Sequence, residues 1–98
     1  MNATNVDARS DLNRLREAID RVDEVLVKLL NQRAKYAIEI GELKALLELP
    51  IYVPEREKEV LHHVESASRG PLEGVAMRRL FERIIDESRR VEREASGR

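Results

Sequence analysis

Residues 11–47 read DLNRLREAIDRVDEVLVKLLNQRAKYAIEIGELKALL, and their spacing decides the fold. Leu12, Ile19, Leu26, Arg33, Ile40 and Leu47 recur every seven residues, with Leu15, Val22, Leu29, Tyr36 and Leu43 three residues behind them. This alternation of three and four is the seam of a long helix that packs along its length on other helices. One residue is out of place: Arg33 sits where a Leu or Ile belongs. A guanidinium on a buried stripe is costly unless it is paired, so something anionic is expected beside it. Lys44 lies only about 20° around the helix from Arg33, with Ala37 and Gly41 between them on that face. Gly inside a helix costs about 1 kcal/mol relative to Ala, so a conformational or a spatial reason is expected for it. Two cations flanking a hollow free of side chains read as a pocket for a small anion.

The same helix is too long for its chain. At ~1.5 Å per residue it extends roughly 55 Å, whereas a compact domain of this size measures roughly 30–35 Å across. An exposed apolar seam of that length would aggregate or pair. The simplest resolution is a two-fold dimer in which the long helices lie across each other.

At 98 residues, 38% of them charged and 3% aromatic, with no Trp or Cys, the chain has the profile of a surface-rich helical bundle. The lack of Cys excludes disulfides and thiolate metal sites and suits a reducing cytoplasm. The N-terminal MNATNVDARSD has neither a basic region nor an apolar run, so no signal peptide is expected. No apolar stretch approaches the roughly 20 residues of a membrane span. A formal net charge of −1 argues against a general nucleic-acid surface. The cations are therefore local features rather than a global field.

Residues 1–10 read as a loose polar tail, 11–95 as one domain and 96–98 as a short C-terminal tail. Ser10 or Asp11 is the expected cap of the first helix. Pro50 is expected to end it by pushing Leu49 out of the α region. Leu49–Val53 then forms an extended connection. Pro54 suits the first turn of a second helix, with Glu55 and Glu57 near its positive end. Ser68-Arg69-Gly70-Pro71 breaks that helix, and a third begins between Pro71 and Gly74. On the third helix Phe81, Ile85, Ser88 and Glu92 fall within about 60° of one another, so two polar residues continue an apolar stripe. Arg56, a cation in a helix first turn, opposes the dipole. The pair His62-His63 reads as solvated surface, with no companions at ligand spacing. No phosphate loop, nucleophile elbow or metal motif is present.

LREAIDRVDEVLVKLLNQRAKYAIEIGELK, followed by PIYVPEREKEVL and later by RLFERIIDES, resembles the all-helical class of chorismate mutases. The likeness covers Leu12 to Glu92 and includes the odd polar residues above in the same order. It implies an all-α, three-helix chain with one very long first helix, in an intertwined (domain-swapped-like) homodimer with two active sites. It further implies that Arg33, Lys44, Arg56, Glu57 and Ser88 line one site, and that Arg16 reaches into the site of the other subunit. Arg16 lies about 25 Å along the helix from Arg33, too far for an easy shared pocket within one chain.

The chemistry implied needs no nucleophile, metal or cofactor. Rearranging chorismate to prephenate is unimolecular and pericyclic, and its substrate is a flexible dianion to be held in a chair-like form. Arginines grip carboxylates through two parallel hydrogen bonds. The resemblance assigns Arg16 of the partner subunit, Arg33 and Arg56 to the carboxylates, with Ser88 assisting. It assigns Lys44 to the ether oxygen, where charge grows as the C–O bond breaks, and Glu57 to the ring hydroxyl. Two positions depart from the common pattern. Val53 stands where many members carry an Asp that caps the second helix and touches the ring hydroxyl, and Glu92 replaces the Gln that is the usual second donor to the ether oxygen. An isochorismate pyruvate lyase of the same fold is the nearest alternative: an apolar residue at Val53 leans toward it, Glu57 and the Gly-Pro-Leu before the third helix lean toward the mutase. A non-catalytic dimerisation module would explain the seam but not Arg33, Gly41 and Lys44 on one face. Association with another shikimate-pathway enzyme is left open.

Overall fold

In the computed structural model, which describes residues 3–98 (the backbone alone for Ala3), all regular structure is helical. Helix α1 spans Ala3–Leu47, α2 Pro54–Ala67 and α3 Gly74–Ser96, the three helices expected. No helix among the described residues is long and apolar enough to cross a membrane. The chain divides into two units, Met1–Gln32 and Arg33–Arg98.

Helix α1 starts earlier than expected. Residues 3–10, read as a loose tail, are helical, and Ser10 and Asp11 lie inside the helix rather than capping it. Once a helix is nucleated each added residue is cheap, and no Gly or Pro stands upstream of Asp11 to stop it. Its other end also differs. Glu48 adopts the left-handed conformation (φ 57°) and Leu49 donates its N–H to the Lys44 carbonyl at 2.8 Å. The helix thus closes on a left-handed turn before Pro50 is reached.

In the first unit no residue from 4 to 32 is buried. Its seam side chains stand in solvent, with Leu15 51%, Ile19 58%, Val22 58% and Leu29 59% exposed.

The second unit holds the buried apolar side chains of the described residues, Ala37, Ile51 and Ile85. Ile51 sits in the connection between α1 and α2. Helix α2 begins as expected at Pro54, with Glu55 and Glu57 in its first turn. Val53 occupies the N-cap position (φ −125°, ψ 90°) and offers no side-chain hydrogen bond. Helix α3 ends at Gly97, whose φ of 74° lets its N–H turn back to the Arg93 and Glu94 carbonyls. On its solvated side Arg90 pairs with Glu87 and Glu94, and Arg83 with Glu87. Such exposed pairs add little to stability.

Candidate active site

Within the second unit a cavity of about 500 Å³ is lined by the C-terminal half of α1, the connection, α2 and α3. Arg33, Lys44, Val53, Arg56, Glu57, Ser88 and Glu92, all singled out from the sequence, line it. Its apolar walls come from residues such as Ala37, Ile40, Val60 and Ile85. Arg16 belongs to the first unit, where it is exposed.

The geometry follows from how α1 meets α3. At Gly41 a Cβ would lie 2.8 Å from the Glu92 Cα and 2.9 Å from its carbonyl carbon, and nearer still to the carbonyl oxygen. The expected hollow at Gly41 is therefore filled by the α3 backbone. The absent side chain serves a close helix crossing, and the open volume lies beside it, against Ala37. The crossing brings Glu92 to Lys44. The ammonium lies 3.2 and 3.4 Å from the two Glu92 carboxylate oxygens and donates to the Ile51 carbonyl at 2.8 Å. Both side chains are largely buried. Lys44 also lines the cavity.

Arg33, half-buried, donates to the Ser88 hydroxyl, which in turn donates to the Ile84 carbonyl at 2.9 Å. Its guanidinium lies 6.0 Å from the centre of the Phe81 ring, the outer edge of a cation–π contact. Burial and then the nearby Arg56 charge push the Arg33 pKa below the ordinary arginine value, while Glu92 works the other way. Arg33 and Arg56 thus repel each other across the cavity wall. A bound anion would relieve that repulsion and compensate for desolvation. Arg56 itself is exposed and pairs with Glu59 at 3.2 Å.

One lining residue went unread in the sequence. Arg89 donates through Nε and Nη2 to the two oxygens of Glu57, at 2.9 Å each, and lies 5.1 Å from the centre of the Tyr52 ring. These hydrogen bonds raise its pKa above the ordinary arginine value. A signal for it was present: Arg89 is four residues beyond Ile85 and three before Glu92, at the edge of that stripe.

Residues 15–93 match the family model described as chorismate mutase type II. The chain is 52% identical over 54 residues to a bifunctional chorismate mutase/prephenate dehydratase of Aquifex aeolicus, covering 55% of this chain and 15% of that protein. It is 42% identical over 78 residues to the bifunctional enzyme of the same description from Neisseria gonorrhoeae, covering 80% of this chain and 21% of that protein. The chain therefore spans only a minor part of these curated relatives. Among solved structures, chorismate mutase (Form II) of Thermus thermophilus is similar at a TM-score of 0.81 and 35% identity, over 84% of this chain and 93% of that one. Chorismate mutase of Helicobacter pylori in complex with prephenate is similar at 0.79 and 32%, over 88% and 93%.

Proposed function

Since the chain belongs to the chorismate mutase type II family, we propose that it rearranges chorismate to prephenate, working as a homodimer. The observation that carries this reading is the cavity in which Arg33, Arg56, Lys44 and Ser88 converge. Its size falls in the roughly 300–1,000 Å³ range of small-molecule sites. Four cations (Arg33, Lys44, Arg56, Arg89) against two carboxylates (Glu57, Glu92) leave the lining with an excess of two positive charges, the complement of a dianion.

In this reading Arg33 and Arg56, with Arg16 of the partner subunit, clamp the two carboxylates and hold the compact conformer. Most of the rate then comes from positioning. An N–H of Lys44 meets the ether oxygen, a contact that strengthens only as that oxygen gains charge. Ser88 holds Arg33 in place, and Glu57 accepts from the ring hydroxyl. Glu92 is the second group beside the ether oxygen.

The dimer rests on the apolar seam of residues 4–32, which has no buried residue in one chain and would be covered by a second copy. The bifunctional chorismate mutase/prephenate dehydratase relatives make association with a further enzyme of aromatic biosynthesis a compatible arrangement, and a chain without Cys suits the cytoplasm.

One observation favours the lyase reading: Val53 puts an apolar side chain on the cavity where many mutases have Asp. Offering chorismate and isochorismate separately decides between them. Prephenate from chorismate is expected; salicylate and pyruvate from isochorismate, with no prephenate, would make the protein the lyase.

A further inference from the structure

Two acidic residues line the cavity. Glu92 lies against the Lys44 ammonium, and Val53 offers no polar atom on its side chain. In the reading above Glu57 accepts from the ring hydroxyl. Alone it would do so badly. It would repel an incoming dianion, and its flexible side chain would have to be ordered on binding.

The Arg89 fork removes both difficulties. Two parallel hydrogen bonds at 2.9 Å engage both Glu57 oxygens, each of which keeps a further lone pair. The guanidinium is itself held over the Tyr52 ring at 5.1 Å and touches Asp86 at 3.3 Å. Arg89 and Glu57 are 27% and 24% exposed at their side chains, so the pair is only partly screened by water.

We propose that Arg89 positions Glu57 for substrate recognition, holding its carboxylate in the orientation that accepts the ring hydroxyl and neutralising its charge beside the dianion. The proposal rests on the mutase reading above. It makes Arg89 a residue that acts through Glu57 and not a direct ligand of a substrate carboxylate.

Steady-state kinetics with chorismate on the full chain, on Arg89→Met, on Glu57→Ala and on the double variant test this. Met keeps an apolar stem of similar length and removes the donors. Arg89→Met is expected to raise KM by about 10- to 100-fold, the worth of charge-assisted hydrogen bonds. It should leave kcat within about threefold, since the hydroxyl contact is the same in the ground and transition states. The double variant should be no worse than Glu57→Ala alone within about threefold. Arg89→Lys, which keeps the charge but not the fork, should fall between Arg89→Met and the native chain, and carries the test should Arg89→Met fail to fold. A native KM in Arg89→Lys or Arg89→Met would overturn the proposal, and so would losses that multiply in the double variant, because Arg89 would then bind substrate itself. A native chain that forms no prephenate would overturn the mutase reading instead, and that result is read before any variant is compared.

Discussion

Glu92 turns both carboxylate oxygens toward the Lys44 ammonium, at 3.2 and 3.4 Å, and this limits what it can do for a breaking ether bond. An ionised carboxyl only accepts hydrogen bonds, and beside an oxygen that is gaining charge it repels. A Gln would keep Lys44 on its amide oxygen and present an N–H to the cavity at any pH. Glu92→Gln is thus expected to raise kcat relative to the native chain. Steady-state kinetics on both proteins check this; an unchanged kcat would remove Glu92 from the ether oxygen and leave Lys44 as its donor. Val53 is the complementary case. It occupies an extended N-cap position with no side-chain hydrogen bond, which Asp would supply. Val53→Asp is expected to stabilise the protein by about 1 kcal/mol, measured by chemical denaturation, and to lower KM for chorismate by adding an acceptor to the cavity wall.

The crossing of α1 and α3 is set at the level of elements, and Gly41 is its test. In an exposed helix interior, Gly→Ala stabilises by about 1 kcal/mol. Here the added Cβ would lie 2.8 Å from the Glu92 Cα, and backbone cannot rotate away as a side chain can. Gly41→Ala is expected to reverse the sign, destabilising by about 1–3 kcal/mol as overpacking does. It should also cut kcat by displacing Glu92 from Lys44. Urea midpoints and kcat on the same variant separate the two readings of the glycine: gained stability with native kcat would mean that the crossing has room. The pattern of α1 announced that Gly41 needed a reason. It did not say which, because a gap beside a cation and a gap for a neighbouring backbone look alike along one helix.

At the scale of the molecule, the seam is the dominant fact. Leu12, Leu15, Ile19, Val22, Leu26 and Leu29 are between 46% and 59% exposed in one chain, a contiguous apolar stripe of the kind that soluble monomers do not leave open. Sedimentation at micromolar concentration should find a dimer, with a Tm that rises with protein concentration; a stable folded monomer there would contradict the proposed assembly. If Arg16 serves the partner's cavity, mixing inactive Arg16→Ala with inactive Arg33→Ala chains should restore activity. Each heterodimer then holds one site lacking both arginines and one lacking neither. No recovery despite confirmed subunit exchange would confine Arg16 to its own chain or to the fold.

The number and order of helices, the start of α2 at Pro54 and most of the cavity's polar residues were determined by the sequence alone. Helical periodicity is local: 3.6 residues per turn places Arg33 and Lys44 on one face, and Ser88 near Glu92, whatever else the chain does. Breakers act locally too, although the left-handed turn at Glu48 ended α1 before Pro50 could. The tertiary structure decided which stripe faced which. Arg89 meets Glu57 across 32 residues, and Lys44 meets Glu92 across 48. Such pairings depend on how closely two helices approach and in what register; for Lys44 and Glu92 the close approach is at Gly41, which the spacing within either helix does not fix.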